Sequence, residues 1–110
     1  MYNKYHAKKT WMKGRVYDSK KEANRAFELE LLAKYGKIQN LQKQVPFVLQ
    51  EGFVDRDGHK VRPIEYVCDF VYEENGQKIA EDSKGFRTKE FILKKKMFLY
   101  RYREYKFIES

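Results

Sequence analysis

Two runs of sequence joined by Asn75-Gly76 constrain this chain more than any other feature. They extend from about Ile64 to Tyr72 and from Gln77 to Lys84, with Glu73-Glu74-Asn75-Gly76 between them as a strong turn signal. Asn-Gly accepts the left-handed backbone of a tight hairpin, so the flanking strands are expected to be antiparallel neighbours. Asp69 and Asp82 each lie about six residues from that turn and are therefore brought together. Asp69 stands between Cys68 and Phe70 in an apolar strand, and Asp82 ends an apolar run that continues as Ser83-Lys84-Gly85. Residues two apart on a strand share a face, so Asp82 and Lys84 project together while Glu81 and Ser83 point the other way, with Glu81 expected outward.

Helices frame the hairpin. Asp18-Ser19-Lys20-Lys21-Glu22 supplies a start, with Ser19 three residues before Glu22 as a capping box. The spacing predicts a helix from about Lys20 to Tyr35, stopped by Gly36. Ala26, Leu29 and Ala33 form one buried line and Phe27 and Leu31 another. Glu22, four residues before Ala26, lies on the first line; it either reaches a site at the sheet's edge or serves only as the capping residue. A strand from about Ile38 to Leu49 follows, in which Pro46 argues for an edge or a bulge, and Asp57-Gly58 marks a hairpin turn. Thr88 caps a second helix running to about Tyr102, with Leu93, Met97 and Tyr100 as its inward stripe, and Tyr105 to Ile108 reads as a last strand. The fold class is thus α/β (α+β), in the order αβββαβ, with a mixed central sheet flanked by helices.

A length of 110 residues suits one domain, expected over 18–110, and 42 % hydrophobic residues with eight Phe and nine Tyr can build its core. Residues 1–17 read as an arm. It carries Lys4, Lys8, Lys9, Lys13 and Arg15 among Tyr2, Tyr5, His6 and Trp11, and either follows phosphate and stacks on bases or is a solvated tail. The formal charge of +8 makes an acidic polymer the natural partner, nucleic acid ahead of a membrane. No stretch approaches a transmembrane span and the N-terminus does not resemble a secretory signal, so a cytoplasmic location is expected. One cysteine, Cys68, excludes an internal disulfide, and His6 and His59 lack zinc-ligand spacing; any metal is expected to be a hard cation on oxygen ligands.

Phosphodiester hydrolysis requires neutralising charge on the phosphate, generating hydroxide and stabilising the leaving oxygen, all of which magnesium can do. Magnesium takes one or two protein carboxylates and fills its other positions with water and phosphate. Asp69 and Asp82 suit that role, with the backbone carbonyl of Ser83 as a further ligand and Glu22 as an auxiliary acid. Lys84 would hold or polarise the attacking water. Gln44, on the first strand, is an auxiliary candidate for orienting a water or phosphate. The alternative at this level is a surface ion pair of Asp69 or Asp82 with Lys84.

The order of Glu22 on a first helix, Asp69 on a second strand and Asp82-Ser83-Lys84 on a third, followed by a basic helix, resembles the PD-(D/E)XK nuclease superfamily. Val16 to Ala23, Tyr66 to Tyr72 and Glu81 to Phe91 look like a family of small phage and prophage proteins assigned to it, with the similarity covering roughly Gly14 to Glu109. The resemblance implies a restriction-endonuclease-like core and DNA cleavage dependent on Mg2+ or Mn2+. It implies Asp69 and Asp82 as metal ligands, Lys84 as the catalytic lysine and Glu22 as the auxiliary acid. Cys68 stands where the superfamily's name has proline, a position that shapes backbone only. By analogy the substrate is a branched, replication or recombination intermediate of phage DNA in a bacterial host.

Between Lys84 and Lys106 nine basic residues face only Glu90 and Glu104. Arg87 and Lys89, just beyond Lys84, are expected at the scissile phosphate, while Lys94, Lys95 and Lys96 cannot all share one helical face and are partly a solvated surface. Nothing here reads bases, so recognition by backbone and shape is expected. Cutting both strands would require two copies, hence the expectation of a homodimer, with Tyr100, Tyr102 and Tyr105 as interface or core. The competing function is a non-catalytic nucleic-acid-binding or phage accessory or inhibitory protein on the same fold. A third is an assembly protein whose basic face meets another protein.

Overall fold

Ser19 opens the first helix as its spacing predicts: its hydroxyl accepts the Glu22 amide at 3.1 Å, supplying one of the donors a helix start leaves unpaired. Helix α1 spans Lys20–Lys34 and closes where Gly36 takes φ 74°, a conformation that suits glycine. The structure, a computed structural model, describes the backbone of residues 10–12 and 15–17 and the whole of residues 19–83 and 87–110. Strands β1 (Thr10–Met12) and β2 (Arg15–Tyr17) pair antiparallel, so part of the span read as an arm is a small hairpin.

The central sheet has four strands in the order β3-β6-β7-β8: β3 is Gln39–Gln50, β6 Ile64–Glu74, β7 Gln77–Asp82 and β8 Tyr105–Glu109. β3, β6 and β7 are antiparallel neighbours, and β8 lies parallel to β7. The turn between β6 and β7 is the expected one, with φ 52° at Asn75 and 79° at Gly76. Pro46 sits on β3, an edge strand, where a residue without an N–H is tolerated. Between β3 and β6 a second short hairpin, β4 (Phe53–Val54) with β5 (Lys60–Val61), turns at Gly58 with φ 84°. Helix α2, Lys89–Arg101, starts where Thr88 accepts the Phe91 amide at 3.0 Å. The described residues therefore form a small α+β domain of two helices and a mixed four-stranded sheet with short hairpins.

The helices cover opposite faces of the sheet. Ala23, Ala26 and Leu29 of α1 pack with Phe70, Tyr72 and Ile79, whereas Phe91 and Phe98 of α2 pack with Tyr66, Cys68, Val71 and Ala80. Ile79 and Ala80 are neighbours on β7 and so point to opposite faces.

Two expected stripes are corrected. Phe27 and Leu31 are not a second buried line: they are 38 % and 37 % exposed, because a helix lying on a flat sheet buries one stripe, here the alanine-rich one that allows close approach. On α2, Leu93 and Tyr100 face solvent at 60 % and 76 % exposure, and only Met97 of the expected stripe packs against the core. Phe91 and Phe98 take the inward face, since they have the same seven-residue spacing and their phenyl groups meet other rings there.

Candidate functional site

Alternation predicts that a strand keeps its faces, and here two adjacent strands exchange theirs at one level. On β6, Tyr66 and Cys68 belong to the α2 side but Phe70 and Tyr72 to the α1 side, so the change falls at Asp69. On β3 the change falls at Gln44, between Lys43, which pairs with Glu30 of α1, and Val45, which packs on the α2 side. Gln44 has φ 53°, a left-handed conformation that a non-glycine residue adopts only under local demand. The irregularity points both side chains at a common place. The Gln44 amide nitrogen donates to Glu22 Oε2 at 2.9 Å and to Asp69 Oδ1 at 3.3 Å.

Both carboxylates are nearly enclosed, Glu22 at 5 % and Asp69 at 4 % exposure, while Gln44 is exposed and lies between them and solvent. The backbone N–H of Ser83 donates to Asp69 Oδ2 at 2.9 Å, so Asp69 is gripped by β7 as well as by β3. Glu22 is held in place by its helix: it sits on the inward line of α1 and its own amide is bound by Ser19.

Asp82 follows a different course. The register places Phe70 opposite Glu81, so Asp69 and Asp82 stand at the same level, as the hairpin requires. Asp82 shares the face of Ala80, however, and its Oδ2 accepts the Tyr66 hydroxyl on the α2 side. Burial, and then the neighbouring Cys68 and Asp82, push the Tyr66 hydroxyl far above the ordinary phenol range, so it stays a donor. Burial also pushes the Cys68 thiol up to about 12, which makes it an inert core group whose Sγ contacts the Glu81 carbonyl at 3.3 Å. The structure thus brings Glu22, Gln44, Asp69 and the Ser83 amide together, with Asp82 beside them but turned to Tyr66.

Glu81 corrects the expectation of an outward residue. It does point opposite to Asp82, but that face lies under α1, and Glu81 is fully buried. Arg25 donates to it twice, Nε to Oε2 at 2.5 Å and Nη2 to Oε1 at 3.0 Å, and the Tyr72 hydroxyl donates to Oε1 at 2.6 Å. Burial alone would raise its carboxyl; the bonds from Arg25 and Tyr72 outweigh this and hold it below the usual range.

The basic residues divide. Arg87 donates Nε to Glu109 Oε1 at 2.9 Å and its Nη2 to the other oxygen, and Lys95 reaches the same carboxylate at 2.6 Å. Glu109 lies opposite Asp82 in the β7–β8 register, so Arg87 stands at the site end of the sheet with its charge already answered. Lys94 is half-buried, 3.9 Å from Glu90, whereas Lys89 and Lys96 face solvent. Lys84, Lys8 and Lys9 lie outside the described residues. Sequence reasoning missed Arg25, Tyr66, Tyr72 and Glu109; one available signal was Arg25, a basic residue one turn after an inward-facing acid on the same helix.

Carboxylate and amide oxygens are the donor type a hard divalent cation takes, and an amide such as Gln44 presents either its nitrogen or its oxygen by turning over. Among the described residues, however, no three acidic, histidine or cysteine side chains are grouped to hold a metal ion. None of the described helices is long and apolar enough to cross a membrane.

These features define a small α+β domain with a polar cluster between its first helix and the edge half of its sheet. The chain belongs to the family described as "Protein of unknown function (DUF1064)", whose model matches residues 2–109. Searches of curated proteins and of solved structures returned no match.

Proposed function

We propose that the protein is a metal-dependent DNA endonuclease of the PD-(D/E)XK kind, with a restriction-endonuclease-like core. The observation that carries this reading is the meeting of two enclosed carboxylates from separate elements, Glu22 and Asp69, under one amide and beside the Asp82-Ser83 end of β7. Two such carboxylates repel one another unless a cation or donor stands between them. Gln44 supplies the donor here, and Mg2+ or Mn2+ would be held by Asp69 and Glu22, joined by Asp82 and the Ser83 carbonyl. Such an ion neutralises phosphate charge and makes hydroxide available near neutral pH. The chain's own part is positional: the Ser83 amide fixes the Asp69 carboxylate, Gln44 screens the pair from bulk water, and Lys84 would orient the attacking water. Lys89, Lys96 and, after exchange with Glu109, Arg87 and Lys95 would meet DNA phosphates, giving shape-selective rather than sequence-selective binding. By analogy with small phage nucleases the substrate would be a branched phage DNA intermediate, and cutting both of its strands would call for a homodimer.

Incubation with branched, duplex and single-stranded DNA in Mg2+ or Mn2+ tests it. Cleavage is expected, falling about 100-fold or more in Asp69→Asn and Lys84→Ala. Failure to cut any substrate, or parental rates in both variants, would remove the proposal.

A second reading is a nucleic-acid-binding or accessory protein without catalysis. It is favoured by the Arg87–Glu109–Lys95 cluster, in which two of the described cations near the site are already paired, and by the absence of a three-carboxylate group among the described residues. Salt-sensitive DNA binding without metal binding in calorimetry would support it.

A further inference from the structure

Glu81 has no task in the reading above, yet it is fully buried and receives three hydrogen bonds. Its partners are placed with a pattern. Arg25 lies one helical turn after Glu22 on α1, Tyr72 lies three residues after Asp69 on β6, and Glu81 immediately precedes Asp82 on β7. Each element that carries a candidate carboxylate therefore contributes one group to a single hydrogen-bonded triad. We propose that Arg25, Glu81 and Tyr72 form a brace that sets the relative positions of Glu22, Asp69 and Asp82, and that they are positioning residues of the site; this rests on the nuclease reading.

Strand geometry shows how the brace acts. Neighbours on a strand point to opposite faces, so anchoring Glu81 beneath α1 commits Asp82 to the Tyr66 side. A slip of β7 by one residue would exchange the two acids and turn Asp82 toward Arg25. Arg25 and Tyr72 together discriminate the registers by reach: the guanidinium fork and the phenol hydroxyl both close on the Glu81 carboxylate, and an aspartate in its place is one methylene shorter. The Ser83 amide, two residues after Glu81, then meets Asp69 at the correct height. Stability alone is a weak reason for such a pair. Buried ion pairs are often replaceable by apolar groups without loss, and their best-attested use is to specify register.

The test is the double variant Arg25→Met/Glu81→Leu, which removes both charges and keeps the volume apolar. It is expected to fold with a melting temperature within a few degrees of the parent, since the apolar replacement offsets the lost ion pair while the Tyr72 hydroxyl loses its acceptor. Its Ser83 amide should exchange with solvent about tenfold faster relative to Ala80, and its Mg2+-dependent kcat should fall about tenfold or more with KM for DNA unchanged. Arg25→Lys, which retains charge but loses the fork, should fall between parent and double variant. A folded double variant with parental Ser83 exchange and parental kcat overturns the brace. If the double variant does not fold, Tyr72→Phe and Glu81→Gln carry the same two readouts with the same expected directions. If the parent cuts no DNA, the nuclease reading fails by itself, and Ser83 exchange still decides whether the brace exists.

Discussion

The two faces of the sheet are built from different material. On the α2 side Phe98 lies within 4.9 to 5.9 Å, ring centre to ring centre, of Phe47, Tyr66, Tyr102, Tyr105 and Phe107, with Phe91 beyond, and the Tyr102 hydroxyl closes the edge on the Val48 carbonyl at 2.8 Å. On the α1 side the contact is made by Ala23, Ala26 and Leu29, with the Arg25–Glu81 pair set into it and Lys43–Glu30 at its rim. Large rings bury much area and interact favourably edge to face, so the α2 side is where this domain stores stability. The thin α1 side brings a helix close enough for its acid to reach the sheet. A chain of this length has one core to divide, and it places packing on one face and polar construction on the other.

The strongest way to break this comparison is to remove a ring and an α1-side leucine in turn. Phe98→Ala is expected to lose about 3–5 kcal/mol, with its aromatic pairs placing it at the upper end. Leu29→Ala, at a residue equally buried, should lose about 1 kcal/mol less, since the cavity is smaller and lies beside alanines. Urea unfolding with unchanged m-values is the measurement, with Phe98→Leu as the milder variant that keeps the scale measurable. Equal losses, or a larger loss at Leu29, would mean that the aromatic face is not the main store.

The helix ends provide a smaller and sharper comparison. Ser19→Ala and Thr88→Ala each remove one side-chain acceptor from a helix start, and each is expected to lose about 1 kcal/mol. Matching losses in thermal or urea unfolding would place the difference between the helices in the faces they bury. A Ser19 loss well above that of Thr88 would instead show that the α1 start is coupled to the carboxylate cluster through Glu22.

Both caps were legible in the sequence, as were Gly36, the Asn75-Gly76 turn, the edge position of Pro46 and the inward Glu22, because each depends on local chemistry. What failed depends on what lies opposite. Alternation assigned Glu81 to the face away from Asp82 but does not say that a helix covers that face; with both faces covered, polarity no longer marks the outside. Phe91 with Phe98 and Leu93 with Tyr100 are both seven residues apart, so periodicity alone cannot choose between the stripes, and the rings of β3, β6 and β8 made the choice. The meeting of Glu22, Gln44, Asp69 and the Asp82-Ser83 segment was legible. The turning of Asp82 to Tyr66 was not, because it follows from an exchange of faces at Gln44 and Asp69 that no glycine announces.

That exchange point yields the smallest expected effect, and its sign is diagnostic. In an ordinary strand, glycine is less stable than alanine by roughly 0.5–1 kcal/mol, since it gives up more backbone freedom on folding. Gln42 lies just past the irregularity at Asn40 but is itself exposed, paired with Val71 and without a positive φ, so Gln42→Gly should be less stable than Gln42→Ala. At Gln44 the backbone is left-handed, where a Cβ is disfavoured by roughly 1 kcal/mol and glycine is at ease. Gln44→Gly should therefore be more stable than Gln44→Ala by about 0.5–1 kcal/mol, the reverse of the order two residues earlier. Both substitutions remove the amide that joins Glu22 to Asp69, so the difference between them reports backbone alone. The same order at both positions in urea unfolding would mean that β3 does not change faces at Gln44. The inverted order would place the β3 half of the junction between the aromatic and polar faces at Gln44.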